Sequence, residues 1–454
     1  MKNIMRIFIS GISIIIILTT TAFSESAQKE QKIEKVYSLE SLKNIQYLDL
    51  ETAKKIATAN NPSVLAVKER IKQANQQVRQ KVAAFFPSVD YTGSGTRQNA
   101  FESSTLPETQ DKYSSSISVT LTLFNGFLNS SNYNYAKLGK KSQVEAEKDA
   151  RRTLIWSVSQ SYYNAQKAKE SIRIEEENRA YNQRQLKDAE NKKRLGKGSL
   201  SDVLNFKIEV NSSNSALIDA RKDYKVAMSG LAALLGVDTA RFPAQLKLNK
   251  LNSEIGKSVL SYDLKGMTEY AISNRPDYKQ YEYSVKQAEK SIKIAESGYY
   301  PNVSLSYTHG ASRYDDMDFN SDDYESNTSI SISFNIFSGG LTKANVSEAK
   351  ALKKETELTL KNAEINIKSD LNDAFDELTA AQEKYDLQKS NVKLLKINRD
   401  LVEKEYRAGL KSLVSLNEAQ KNFVKSQSQL IQSLVSVKKS IEKINSYTGK
   451  NLIY

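Results

Sequence analysis

The stretch Tyr113-Ser114-Ser115-Ser116-Ile117-Ser118-Val119-Thr120-Leu121-Thr122-Leu123 carries Tyr113, Ile117, Val119, Leu121 and Leu123 at odd positions and only Ser or Thr at even ones. A side-chain period of two is that of a β-strand. Ser329 to Phe337 repeats the pattern, with Ile330, Ile332, Phe334 and Ile336 against Ser331, Ser333 and Asn335. Val89 to Arg97 and Val303 to Ala311 alternate too and supply hairpin partners. Strands are therefore expected over 88–98, 113–124, 302–312 and 328–337. About ten alternating residues is the length of a transmembrane β-strand, apolar toward lipid and small-polar toward a lumen. A half-buried hairpin on a soluble sheet is the alternative. The nearly uncharged polar faces count against it, as do the aromatic pairs Phe85-Phe86 and Tyr299-Tyr300, placed where an interfacial girdle belongs.

Outward from the strands, the chain repeats itself. Asn60-Asn61-Pro62 returns as Asn274-Arg275-Pro276, and Phe85-Phe86-Pro87 as Tyr299-Tyr300-Pro301, so Pro62 to Pro276 sets an offset of 214. Leu123-Phe124-Asn125-Gly126 returns as Ile336-Phe337-Ser338-Gly339, and Arg194-Leu195-Gly196 as Arg407-Ala408-Gly409, an offset of 213 from 196 to 409. A period this long marks a duplicated domain, not a solenoid. The copies span 48–236 and 262–449, with a linker over 237–261, a short tail over 25–47 and another over 450–454.

Each copy opens with a short helix, Leu50 to Ala59 or Leu264 to Ser273, and an X-Pro step starts a second helix toward Phe85 or Ser297. After the strands come runs without Gly or Pro, Lys140 to Leu195 and Leu341 to Ala408, read as very long helices. In the second, Leu371, Ala374, Leu378, Ala381, Tyr385, Val392, Leu395 and Val402 follow the three-four spacing of a coiled-coil seam. The chain turns at Gly196-Lys197-Gly198 or Gly409-Leu410-Lys411, re-caps at Ser199 or Ser412, and returns to Leu235 or Tyr447. The fold class is an α+β membrane protein: a β-hairpin plus a long α-helical hairpin, twice. Four strands cannot close a barrel, and an open edge in lipid leaves backbone groups unpaired, so oligomerisation is required. A dimer would supply eight strands and a filled lumen, a trimer twelve and room for a pore.

The 454 residues include 66 Lys+Arg, 53 Asp+Glu, one His and no Cys, for a net charge of +13. Disulfides, thiolate metal sites and thiol nucleophiles are excluded, and one His leaves no two-His metal pair. Lys2 and Arg6 precede an apolar run from Ile7 to Leu18, and Ala22-Phe23-Ser24 offers small residues for cleavage. Residues 1–24 thus read as a signal peptide, the apolar run being too short for a spanning helix. Lys and Glu interleave along the helices and the chain is exported, so nucleic acid is not an expected partner. No phosphate loop, nucleophile elbow or paired-acid motif occurs, which points away from an enzyme and from any cofactor.

The duplicated Asn-x-Pro helix starts, the aromatic-aromatic-Pro strand entries, the Phe-x-Gly steps at Phe124 and Phe337 and the tips at Gly196 to Leu204 and Gly409 to Leu416 together resemble the TolC family of outer-membrane efflux proteins, over residues 45 to 449. The resemblance implies a homotrimer with a twelve-stranded β-barrel in outer-membrane lipid, continuous with a periplasmic α-helical barrel. It also implies docking on a periplasmic adaptor protein and an inner-membrane efflux pump or ABC transporter, as in type I secretion, to expel small toxic compounds or secrete polypeptides. With no Cys, the chain falls with the unlipidated relatives. A periplasmic coiled-coil adaptor or scaffold without a barrel is the rival reading, and the four alternating strands separate the two.

The resemblance extends to the tips. Asp202, Tyr406 and Lys411 fall on positions like those of the family's closing network, an acid of the first hairpin held by a tyrosine and a base of the second. Asp202 is also the last residue of a local capping box begun by Ser199. Ser415 and Glu418 match two acidic rings of a family member, so one acid is kept; Glu418 is read either as that ring or as a solvated outer-face residue. Gly196, Gly198 and Gly409 are the turn glycines. His309 lies on a strand pattern and reads as a barrel-wall residue, and Trp156 as helix packing. Asp316, Asp318, Asn320 and Asp322 alternate like calcium ligands, but Ser321 and Asn327 stand where the loop needs Gly and Glu, so a solvated extracellular loop is preferred.

Overall fold

The structure, a computed structural model, describes residues 46–99, 109–238, 246–253 and 263–450. The expected signal peptide, nearly all of the 25–47 tail and much of the 237–261 linker lie outside the described residues. In chain order the elements are β1 (Tyr47–Leu48), α1 (Leu50–Asn60), α2 (Pro62–Ala83), β2 (Ser88–Asn99), β3 (Thr109–Asn125), α3 (Leu128–Arg194) and α4 (Leu200–Leu234). β4 (Lys247–Leu248) lies in the linker, and the second copy follows with α5 (Leu264–Asn274), α6 (Pro276–Glu296), β5 (Asn302–Tyr314), β6 (Tyr324–Ser333), α7 (Leu341–Arg407) and α8 (Leu413–Thr448). Among the described residues no helix is long and apolar enough to cross a membrane.

Two compact units form, and neither is one copy of the repeat. The first takes the described residues up to Ala66, Lys148–Arg275 and those from Ile367; the second takes Val67–Glu147 and Pro276–Asn366.

In the second unit, β2, β3, β5 and β6 make one antiparallel sheet in that order, leaving β2 and β6 as edges. The register aligns Val89, Val119 and Tyr307 across three strands, and Leu121, Leu305 and Ile330 across another three. The intervening rows are small and polar: Ser88, Thr120, Ser306 and Ser329, then Asp90, Ser118, Thr308 and Asn327. Along these rows one face is apolar and the other small and polar; farther along the strands the first face also carries His309, Arg313, Asp111 and Arg97.

Strand ends differ from expectation for identifiable reasons. A bulge between Thr122 and Phe124 drops Leu123 from the ladder and puts Phe124 opposite Val303, so Phe124 takes the apolar row from there. β3 begins at Thr109, four residues before the expected 113. β6 runs Tyr324–Ser333 in place of 328–337. Its last partner is Asn302, and Pro301 before it has no N–H, so Phe334 to Phe337 continue the alternation without a partner strand in this chain. At its start a turn closed by Asn320 and Asp323 carries the hairpin. Arg313 pairs with Asp316 at 2.8 Å and Asp323 at 3.4 Å, which absorbs part of the acidic loop's charge. His309 lies on β5, stacks on Tyr324 and bonds Ser326 through Nδ1 at 2.9 Å. The first long helix also starts early, at Leu128, and runs through Gly139, where a Cβ would sit 3.1 Å from Gln287 Nε2.

The first unit is built on helix ends. α3 and α7, of 67 residues each, enter it at Lys148 and Ile367. Both returning helices end on a left-handed glycine, Gly236 with φ 74° and Gly449 with φ 77°. A side chain from the residue before each proline then reaches their open carbonyls. Asn61 Nδ2 donates to Leu234 O at 2.9 Å, and Arg275 Nη1 to Tyr447 O at 3.4 Å. The positions correspond in the repeat, 61 with 275 and 234 with 447. Around the first of these ends lies a core of fourteen buried side chains, among them Leu48, Ile56, Val158, Leu231 and Leu248, with β1 paired parallel to β4. Among the described residues the second has six, including Leu378, Leu434 and Ile444.

Candidate functional site

The free ends of the two helical hairpins carry polar side chains that join one copy to the other. Both turns are built alike. Lys197 N bonds Lys192 O at 2.9 Å and Gly196 N bonds Lys193 O at 3.0 Å; Leu410 N bonds Glu405 O at 2.8 Å and Gly409 N bonds Tyr406 O at 3.0 Å. These paired bonds need a left-handed residue, and Gly196 and Gly409 supply it with φ 71° and 80°. Gly198 serves differently: a Cβ there would lie 2.8 Å from Lys193 N, so it permits close approach of the chain. Ser199 caps α4 by accepting from Ser201 N at 2.9 Å, and Ser412 caps α8 by accepting from Ser415 N at 3.2 Å. The expected capping box is not made, because Ser199 accepts from Ser201 N and not from Asp202 N, and among the described residues Asp202 returns no bond to the cap.

That leaves Asp202 available to its other assigned role. Phe206, Ala189 and Leu416 form a buried cluster with Val203, Val402 and Tyr406 packed on it. Tyr406 meets Phe206 edge-on at 6.3 Å and lies under the Lys192 ammonium at 5.3 Å. Burial, and then the nearby Asp202 carboxylate, push its phenol above the ordinary tyrosine value. Two of the three expected residues are thus brought together. Lys411 is exposed and, among the described residues, pairs with no acid. Glu418 is likewise exposed on α8 without a partner among them.

A charged link that sequence reasoning missed stands one turn away. Glu403 Oε1 accepts from Gln185 Nε2 at 2.9 Å and from Arg407 Nη2 at 2.8 Å, and Arg407 also comes within 3.7 Å of Asp188. The Glu403 to Arg407 spacing of four on one helix was the available signal; Gln185, 218 positions away in sequence, had none. Next along, the Arg399 guanidinium lies between the rings of Tyr181 at 5.1 Å and Phe423 at 4.8 Å. It donates to Gln420 Oε1 at 3.0 Å, and Gln420 Nε2 donates to Asn178 at 2.9 Å. A cleft of about 320 Å³ opens beside Gln185, Lys192, Phe206 and Tyr406. Leu195, Leu200, Leu204, Leu410 and Val414 remain exposed around the turns. The site holds no nucleophile beside a general base, and among the described residues no cluster of His, Cys, Asp or Glu could hold a metal. What it can do is fasten one helical hairpin to the other.

A profile of the family described as "Outer membrane efflux protein" matches the chain twice, over residues 55–237 and 268–450. The chain is similar to the probable efflux pump outer membrane protein TtgC of Pseudomonas putida, at 26% identity over 79% of this chain and 74% of the relative. It is similar to the cation efflux system protein CusC of Escherichia coli, at 21% identity over 87% of this chain and 84% of the relative. Among solved structures, the outer membrane protein VceC of Vibrio cholerae superposes with a TM-score of 0.75 at 17% identity, covering 88% of this chain and 96% of that one. The Campylobacter jejuni CmeC outer membrane channel gives 0.75 at 18%, covering 88% and 85%.

Proposed function

The chain belongs to the outer membrane efflux proteins of the TolC family, an outer-membrane location included, and from that premise we propose that it is a passive export duct assembled as a homotrimer. Three copies supply twelve strands to a barrel and twelve long or returning helices to a periplasmic tunnel. The single observation that carries this reading is the four-stranded sheet, with apolar rows on one face, small polar rows on the other and unpaired edges at β2 and β6. In lipid those two edges must pair with each other's copies.

The hairpin tips act as the periplasmic gate. Asp202 with Tyr406, and Gln185 with Glu403 and Arg407, hold the second hairpin against the first. Lys411, exposed and without an acidic partner among the described residues, is placed to meet an acid of a neighbouring copy, and Glu418 to form a ring of three. The exposed leucines around the turns support docking of a periplasmic adaptor, behind which an inner-membrane pump or ABC transporter supplies the energy. TtgC and CusC, by their names, serve efflux; the cargo here is read as small toxic compounds or polypeptides.

Fractionation and electrophoresis test the reading. Membranes extracted in mild detergent should yield an outer-membrane trimer that collapses to monomer on boiling, and planar bilayers should show trimer-dependent conductance. Recovery as a soluble periplasmic monomer would favour the coiled-coil adaptor instead.

A further inference from the structure

Midway along α3 and α8, two lysines are held by amides instead of acids. Lys439 Nζ donates to Asn164 Oδ1 at 2.6 Å, and Lys167 Nζ donates to Gln432 Oε1 at 3.2 Å. Neither ammonium meets a carboxylate among the described residues. The duplication shows what is missing. Position 164 corresponds to 377 in the second copy, and Glu377 there takes Lys443 with both oxygens at 2.8 Å. Of two equivalent positions facing α8, one carries a carboxylate and the other a neutral amide. Lys443 is neutralised; Lys439 and Lys167 are not. Burial, and then Lys167, hold the Lys439 ammonium below the ordinary lysine value, as expected where positive charge lacks a counter-ion.

Beside this pair runs an open groove of about 500 Å³. Lys439 and Ser440 face it from α8, and Trp156 and Tyr447 bound it with aromatic surface. Ser440 is only 8% exposed and lines the groove beside Lys439, and the paired Glu377 and Lys443 line it as well. A half-buried cation held by an amide and a neighbouring serine hydroxyl therefore open on one cleft. Ordinary surface lysines extend into water and avoid each other; these two are fixed by amide oxygens within each other's field.

We propose that this groove binds an oxyanion, the carboxylate or phosphate group of a ligand whose organic body lies against Trp156 and Tyr447. The anion accepts from Lys439 and the Ser440 hydroxyl, and Lys167 adds its field. The paired Glu377 and Lys443 contribute no net charge. Nothing in this assignment depends on the tips or on barrel closure, so its failure would leave the channel reading intact.

Trp156 is the only tryptophan in the sequence, so its fluorescence reports on this groove alone. The assembled, detergent-purified protein is titrated with benzoate and, separately, with inorganic phosphate, at constant ionic strength balanced with chloride. A saturable change in Trp156 emission is expected. Lys439→Gln should weaken it about tenfold or more. Asn164→Glu, which installs the acid already present in the second copy, should abolish it while leaving circular dichroism and assembly unchanged. A response to phosphate alone would identify a free inorganic anion, and a response to benzoate an organic one. No saturable response to either probe, or an undiminished response in Asn164→Glu, would overturn the site.

Discussion

The two copies of the repeat solve the same backbone problem with different chemistry. In each, a returning helix ends with carbonyls that have no partner of their own. The first copy answers with the neutral amide of Asn61, inside a core of fourteen side chains. The second answers with Arg275, only 6% exposed, whose charge also faces Asp370 at 3.9 Å and the Tyr447 ring at 5.9 Å, beside a core of six. The copies are also not interchangeable. Lys54 of the first copy, 4% exposed, bonds Glu442 of the second at 3.0 Å, and the corresponding positions hold Thr268 and Ser229, which could form no such pair.

The largest effect should come from breaking that asymmetric pair. Lys54→Met leaves Glu442 without its cation in a nearly dry site and should cost about 3–5 kcal/mol in denaturant unfolding. Thr268→Met, its counterpart, should cost little. Equal losses would make the copies equivalent after all. The pair also predicts an alkaline limit. Burial alone would depress Lys54, but Glu442 and Glu51 outweigh it and hold the ammonium above the ordinary lysine value. Its contribution is therefore complete below about pH 10.4, the unfolded value, and disappears as pH rises through the higher folded one. Lys54→Met should flatten that decline.

Next in size is a test of the sheet. Val119 on central β3 and Ile332 on edge β6 are repeat-related, as are Ser118 and Ser331. If the edges close with other copies in lipid, Arg at Val119 or Ile332 should cost alike, about 2–4 kcal/mol near the bilayer midplane, and Arg at either serine much less. Refolding into lipid measures this. A tolerant Ile332 beside an intolerant Val119 would mean β6 stays an open edge.

A smaller difference is expected at the glycine ends. Replacing Gly236 or Gly449 with Ala should cost about 1–2 kcal/mol for the left-handed backbone alone. At Gly236 the new Cβ would also lie 2.6 Å from Asn60 O, whereas at Gly449 its nearest neighbour is 3.7 Å away. Gly236→Ala should therefore lower the melting temperature more, and equal shifts would show that the first copy's tighter core yields freely.

Much of this was legible in the sequence because it depends on period and spacing. The duplication, the alternating strands and the turn glycines are local patterns, and Gly196 and Gly409 adopt the backbone that their turns require. What failed was whatever depends on a partner. β6 stops at Ser333 because the opposing strand begins after Pro301, which the alternation through Ile336 cannot reveal. Gly139 looked like a helix boundary, but the helix passes through it, with Gln287 close by. Asp202 and Tyr406 were found only through family resemblance, and the Gln185 to Glu403 link was not found, since nothing in either segment announces the other.

The smallest expected effect lies at the tips, where the copies differ by one charge. Glu418 corresponds to Asn205, so Glu418→Gln makes the second tip resemble the first without altering either turn. In a trimer whose tips converge, three Glu418 carboxylates would share one narrow ring and favour cations over anions. The substitution should then lower cation selectivity in planar bilayers, with trimer yield and conductance unchanged. Glu403→Gln offers the contrast, because it weakens the hold of Gln185 on the second hairpin and removes the charge that steadies Arg407 beside Asp188, and should raise conductance through a looser closed state. If Glu418→Gln leaves the reversal potential where it was while Glu403→Gln still raises conductance, Glu418 is a solvated outer-face residue. The gate is then a latch between copies of the repeat with no charged ring on the axis.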